Sequence, residues 1–360
     1  MPGRIENATA ELWVFPLSGP TGGSGITAVD VIVVELEDGE GNRGTGFSYV
    51  LGGGGRTVGS AARDMIARYV IGQDIVPPQA LCRRLAGSLN RLGRGVGYLA
   101  IAAIDVAMWD LHAKRLGVPL YEALGGVART LPVYGSGGFG PTQAPEAAVA
   151  RALDYAERGC RAVKLRLAGA PADAERLHAV ADALPAGVEI MADANEKCDL
   201  ARAQWLGNVL ADVGALWFEE PLPAHDANAL STLAKTCPVP IATGEHHQGV
   251  VELAPLFAER AVSIVQPDLA MMGGITECLR VAQVAEYHGL TVSPHFLPSL
   301  FIHLAAASPA IRWMEDFPLL EPLFDNPVGM DSDGNIAPSG TPGHGIVWKA
   351  GAREEFREDA

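Results

Sequence analysis

From residue 131 onward, short apolar runs and amphipathic segments alternate along the chain in strict order. The apolar runs fall at 131–135, 162–167, 188–193, 215–219, 239–244, 262–267, 291–294 and 311–315, each of strand length. Between them, apolar residues recur at helical spacing over 145–158, 173–184, 199–211, 226–235, 249–258, 276–288 and 300–307. Asp199 and Thr276 stand where amino-terminal caps belong, and Gly159 and Gly289 where helix terminators belong. Such alternation predicts a parallel sheet, and eight strands with seven helices predict that it closes into a barrel. After Glu315, Pro318, Pro322 and Pro327 forbid a regular eighth helix.

The pattern before residue 126 is different. Segments 12–16 and 28–37 read as strands, the second alternating through Val29, Val31, Val33 and Glu35, with Asp38-Gly39 as a hairpin turn and 44–50 following. Residues 16–25 and 52–56 are glycine-rich and have mobile-loop composition. They predict either plain connectors or flaps that close over a ligand, with Arg56 the cation among the glycines. Helices are predicted over 57–70, 78–92 and 98–116, the last buried through Ile101, Ile104, Met108 and Leu111, with Asp105 and Asp110 as paired structural groups. The division expected is a small domain over 1–126, a barrel over 127–316, and a tail over 317–360 that returns to the small domain.

Three carboxylates keep one phase within this repeat. Asp193, Glu219 and Glu245 lie 26 residues apart, each ending an apolar run, so they occupy equivalent points of a strand–helix unit. In a parallel barrel such points meet at the carboxyl ends of the strands, where active sites form. A lone strand-end acid more often caps the next helix. Three in phase repel one another unless a cation sits among them, and an all-oxygen set suits one Mg²⁺.

Extending the phase collects Lys164, Arg166, Asp268, His295 and Glu315 at the other strand ends. Lys164 and Arg166, two apart, share a strand face. They either pair with the strand-end acids or, at Lys164, hold and polarise a substrate carboxylate. Asp268 can fix the tautomer of His295 on the adjacent strand and raise its proton affinity, which makes a general-base dyad. Of His246-His247, one is expected to face the pocket and the other the helix layer.

Composition narrows the partners. Hydrophobic residues make up 48% and charged residues 19%, a globular balance. The net charge of −15 argues against nucleic acid or an anionic membrane as partner, but not against a small anionic substrate held by local cations. No signal sequence and no apolar run of membrane-spanning length is read, so a cytoplasmic location is expected. Five scattered cysteines without C-x-x-C spacing predict reduced thiols.

Taken together, Lys164-Leu-Arg166, Asp193-Ala-Asn195, Glu219-Glu-Pro221, Gly244-Glu-His246, Gln266-Pro-Asp268, Ser293-Pro-His295 and Trp313-Met-Glu315 resemble, in order, the strand-end motifs of the enolase superfamily, mandelate racemase group. Residues 101–114 resemble its signature helix. The resemblance implies an α/β fold: a modified TIM barrel, (β/α)7β, with an α+β capping domain formed by the N-terminal region and the C-terminal tail. It implies Mg²⁺ on Asp193, Glu219 and Glu245, a base dyad of Asp268 and His295, and Glu315 hydrogen-bonded to a substrate carboxylate. It further implies a small hydroxy-carboxylate substrate and a homo-oligomer, dimer or octamer. Arg56, Asn195 and His246 are the expected additional substrate contacts.

One departure bears on the reaction. Mandelate racemase itself carries a second lysine where this chain has Arg166, and a guanidinium is a poor base and a good anion clamp. The expected activity is therefore dehydration of a sugar acid, aldonate or aldarate, to a 2-keto-3-deoxy acid. A racemase, epimerase or lactone cycloisomerase is the alternative, and a non-catalytic binding protein a third reading.

Overall fold

The computed structural model describes residues 3–21, 25–91 and 93–358, with the backbone alone at 18–21. Three strands open the chain, β1 (Ile5–Thr21), β2 (Ile26–Asp38) and β3 (Arg43–Leu51), followed by helices α1 (Gly55–Tyr69), α2 (Pro78–Ser88), α3 (Gly95–Leu116) and the short α4 (Leu120–Ala123). Strands and helices then alternate as β4 (Leu131–Gly135), α5 (Pro145–Glu157), β5 (Ala162–Arg166), α6 (Ala172–Ala183), β6 (Glu189–Asp193), α7 (Leu200–Asp212), β7 (Phe218–Glu219) and α8 (Ala227–Ala234). The series continues through β8 (Ile241–Thr243), α9 (Gly249–Ala258), β9 (Ile264–Val265), α10 (Leu269–Met272), α11 (Ile275–Tyr287), β10 (Thr291–Val292), α12 (Pro298–Ala307) and β11 (Met314–Asp316). The tail adds β12 (Asn335–Ile336), α13 (Ala352–Phe356) and β13 (Arg357–Glu358).

The second series is a ring. Parallel pairing runs in the order β10-β9-β8-β7-β6-β5-β4-β11, and a parallel bridge between Val292 and Ile311 joins the two ends. The sequence repeat therefore closes as (β/α)7β, with α10 inserted before α11. Tyr134, Met191, Trp217 and Ile264 fill the barrel interior, with the small Ala162 and Ala242 between them on β5 and β8. The strand β7 is shorter than its apolar run, yet the flanking residues still bond to β6, with the Leu216 N–H donating to the Ile190 carbonyl and the Ala192 N–H to the Trp217 carbonyl.

The first series is an antiparallel sheet in the order β13-β1-β2-β3. Its central strand serves two cores. Val29, Val31 and Val33 face the large core shared with the barrel, while Ile32, Val34 and Leu36 face a second core under α1, α2 and α3. α3 lies directly on β3: a Cβ placed on Gly46 would meet the Ala107 backbone nitrogen at 2.1 Å. At the tail, β13 pairs with β1, and Trp348 stacks edge-on against Trp13 and Phe47.

Several expectations change here. β1 runs through Pro16 to Thr21, where a loop was predicted; its pairing with β2 is regular from Asn7 to Pro16, then shifts register and resumes at Thr21 opposite Ile26. Residues 22–24 of that predicted loop lie outside the described residues. The 52–56 stretch is no flap, because Gly54 ends it and α1 begins at Gly55, placing Arg56 in a helix turn. Thr276 is not a cap: Gly274 precedes α11, and the Thr276 hydroxyl and N–H donate to Asp105, tying α3 to the barrel. Asp110 takes Thr45 N–H, His344 N–H and Lys114, so each of Asp105 and Asp110 has its own structural partners. α3, at 22 residues, is long and apolar enough to span a membrane by length and composition; its window is 83% buried inside the protein.

Candidate active site

The parallel register sets the acids in a row. Arg166 pairs with Asp193 across β5 and β6, and Asp193 with Glu219 across β6 and β7. Beyond these ends the backbone turns sharply: Asn195, Glu196, Glu220, Phe296 and Leu297 all hold φ between 30° and 63°, in the left-handed region that non-glycine residues avoid. Such conformations persist where the surroundings over-determine them, and they collect at functional sites.

Two cations, Lys164 buried and Arg166 half-buried, hold the strand-end carboxylates. Lys164 Nζ lies 2.6 Å from Glu219 Oε1 and 2.9 Å from Glu315 Oε1, with the ammonium over the Tyr134 ring. Burial alone would lower its pKa, but Glu219 and Glu315 outweigh burial and hold the ammonium charged. Arg166 lies 3.0 Å from Asp193 Oδ2. Glu219 also accepts from Gln266 Nε2 at 2.5 Å and Trp217 Nε1 at 3.2 Å. Burial raises the Glu219 pKa, with Asp193, Glu315 and Glu245 adding to it.

Glu315 is bound on three sides, by Lys164, by Ser136 Oγ at 2.6 Å and by the Phe296 N–H at 2.8 Å. Lys164 and His295 overcome burial and lower its pKa. As a carboxylate it can only accept; to donate to a substrate carboxylate it must first take a proton, which a negative charge arriving beside it would favour.

The dyad forms as expected and gains a third member. His295 Nδ1 lies 2.7 Å from Asp268 Oδ2, and the same oxygen accepts from the Tyr49 hydroxyl at 2.5 Å. His295 Nε2 points away from Asp268, 3.6 Å from Glu245 Oε2. Burial would lower the imidazole pKa, but Glu245 and Asp268 raise it to about 10. Burial and the Asp268 charge push the Tyr49 phenol well above its usual value, so it stays a donor. Tyr49, Glu245, Asp268 and His295 line a common cavity of about 270 Å³.

A second acidic group adjoins the first. Glu196, Glu220 and His246 bring ligand atoms within 4.8 Å of one another, and His246 Nδ1 lies 3.7 Å from Glu245 Oε1. Glu220 is 1% exposed, and its Oε2 is buried without a hydrogen-bond partner. Burial, then Glu245 and Asp193, raise its pKa strongly. An orphaned carboxylate oxygen among so many acids is the environment a divalent cation relieves, and the oxygen-rich donor set fits Mg²⁺. Asn195 contributes its N–H, which donates to Asp193 Oδ1 at 2.7 Å.

Residues 21–125 match the profile of the mandelate racemase/muconate lactonizing enzyme N-terminal domain, and residues 147–352 that of the enolase C-terminal domain-like family. The chain belongs to the mandelate racemase/muconate lactonizing enzyme family. Among curated members, it is 33% identical to the L-talarate/galactarate dehydratase of Salmonella typhimurium over 97% of this chain and 90% of that protein. It is also 33% identical to the D-galactonate dehydratase of Variovorax paradoxus, over 73% and 70%. Among solved structures, the L-talarate dehydratase of Polaromonas sp. JS666, complexed with Mg and L-glucarate, superposes with a TM-score of 0.91 at 33% identity, covering 99% of this chain and 98% of that one.

Within this family frame, most of the predicted residues converge. At neighbouring strand ends Lys164 pairs with Glu219 and Glu315, Arg166 with Asp193, and His295 with Asp268 and Glu245, with His246 at the edge of the last group. His247 is buried against His225 and does not line the cavity. Arg56 joins none of these groups: it is exposed, pairs with Glu358, and lines a separate cavity with Arg63 and Arg357. Sequence reasoning missed Tyr49, Ser136, Gln266 and Glu220. Gln266 and Glu220 lay inside quoted motifs and could have been found; Tyr49 comes from the antiparallel sheet, which carries no phase relation to the barrel.

Proposed function

We propose that this chain is a Mg²⁺-dependent dehydratase of a sugar acid, an aldonate or aldarate, with the antiparallel domain and the tail covering the barrel mouth. The observation that carries the reading is the Tyr49–Asp268–His295 chain, which directs His295 Nε2 away from Asp268 and toward Glu245, in a cavity that all four residues line. Held among Asp193, Glu219 and Glu245, with Glu220 beside them, Mg²⁺ would draw the charge that gathers on the substrate carboxylate as its α-proton leaves.

The chain's own groups do the rest. Lys164 and a protonated Glu315 bind the carboxylate and stabilise the enediolate. His295 Nε2, freed of its own proton, removes the α-proton, and Asp268 holds the imidazolium that results. The β-carbon–oxygen bond then breaks, its electron pair leaves with the hydroxyl, and His295 returns the proton so that water departs. The resulting enol tautomerises to the 2-keto-3-deoxy acid. Arg166, tied to Asp193 and permanently charged, offers no second base on the opposite face.

The test is incubation with Mg²⁺ and a panel of sugar acids in D₂O, followed by proton NMR and a colour assay for 2-keto acids. Keto acid from one substrate, lost in His295→Asn, supports dehydration. Deuterium at the α-carbon without keto acid would replace it with racemisation or epimerisation.

A further inference from the structure

We propose that the substrate is a monocarboxylate whose distal end is uncharged, and that the enzyme discriminates against dicarboxylates of the same configuration. This rests on the sugar-acid reading above and names the substrate class within it.

The cavity of about 270 Å³ that His295 faces has an apolar outer wall. Val50 and Leu51 come from the end of β3, Leu99 from α3, and Ala270 and Met271 from α10. With the carboxylate end at Lys164 and Glu315 and the α-carbon at His295, the carbons beyond run along this wall. A second carboxylate there would lose its water against aliphatic side chains, and would lie beside Glu245 and Asp268. Burying a charge in that way is tolerated only with a partner of opposite sign.

No such partner lines this cavity among the described residues. Among the described residues that line this cavity, none is Lys or Arg. Residues 5–42 contain no Lys, Arg or His, so the 16–25 segment brings no cation. Arg56 pairs with Glu358 elsewhere, Lys164 is taken up by the first carboxylate, and Arg166, paired with Asp193, does not line this cavity. His246, whose ring lines the cavity, already faces Glu220 and Glu245 with Nδ1. A hydroxymethyl or methyl terminus fits this wall without uncompensated charge.

The experiment measures binding, so it does not depend on turnover. Calorimetric titration of the Mg²⁺-loaded protein uses matched sets of hexonate, 6-deoxyhexonate and hexarate in the galacto, gluco, manno and talo configurations. In the tightest-binding configuration, the hexonate or 6-deoxyhexonate is expected to bind at least about tenfold more tightly than its hexarate, about 1.4 kcal/mol. A hexarate that binds as well as its partners overturns the proposal, as does a panel in which nothing binds. Monocarboxylate binding without keto acid formation would instead sink the dehydratase reading and leave the subsite intact. Leu51 is 37% exposed and tolerates a long side chain, so Leu51→Arg folds and narrows the gap about tenfold. An unchanged ratio in that variant counts against the apolar wall as the selector.

Discussion

The Tyr49 hydroxyl and His295 Nδ1 share a single oxygen, Asp268 Oδ2, at 2.5 and 2.7 Å. Tyr49 belongs to β3 of the antiparallel sheet, whereas Asp268 and His295 follow β9 and β10 of the barrel. The His295 imidazole is thus positioned by both the antiparallel sheet and the barrel. A hydrogen bond to a charged acceptor contributes about 1.5–3 kcal/mol, so Tyr49→Phe is expected to lower kcat by roughly tenfold to a hundredfold. KM should stay within about twofold, because the phenol does not hold the carboxylate. Steady-state kinetics on the substrate found in the D₂O screen would decide it; an unchanged kcat removes Tyr49 from the positioning of the base.

The crowding of acids around Glu219 and Glu220 predicts that a bound divalent cation stabilises the fold. A ligand bound only by the folded state adds about 3 kcal/mol at one hundred times its Kd. Mg²⁺ is therefore expected to raise Tm, and EDTA to lower it again. Asp193→Asn, which removes one donor while keeping the volume of a side chain 2% exposed, should abolish the Mg²⁺-dependent rise. A wild-type Tm that ignores Mg²⁺, read by scanning calorimetry, would count against the metal site.

What the sequence made legible follows from repetition. The strand-end residues could be found because one strand–helix unit recurs and the barrel brings equivalent points together. Glu220 escaped because strand alternation sends it outward from Glu219; the backbone, at φ 39°, turns it back toward His246. Arg56 misled because its partner, Glu358, lies 302 residues further on, in a tail whose pairing with β1 has no local signal. The length of β1 was hidden for a related reason, since β2 supplies its hydrogen bonds.

Arg56 carries its own prediction. Its side chain is 70% exposed, and its pair with Glu358 lies outside the cavity that His295 faces. Exposed pairs contribute at most about 1 kcal/mol. Arg56→Ala should leave kcat and KM within about twofold of wild type and shift the urea midpoint only slightly. A tenfold rise in KM would return Arg56 to the substrate site.

Away from the site, His303 ties stability to pH. It is fully buried on α12, stacked 5.9 Å from the Tyr121 ring, and neither ring nitrogen has a hydrogen-bond partner. Burial, then the neighbouring His344, lower its pKa to about 4, whereas the unfolded chain titrates near the usual 6.5. Between these values the unfolded state holds a proton that the folded state refuses. Stability from this group is therefore intact above about pH 6.5 and declines as pH falls toward 4, by about 3 kcal/mol in all. Asp105, raised to about 7, and Glu321, also raised to about 7, act in the opposite sense, gaining stability as pH falls toward their unfolded values. The difference between wild type and His303→Leu cancels those common contributions. Urea unfolding at pH 7, 5.5 and 4 should show the variant losing less stability than wild type on acidification, by about 3 kcal/mol at the lowest pH. Parallel curves would mean that His303 accepts a proton in the folded protein.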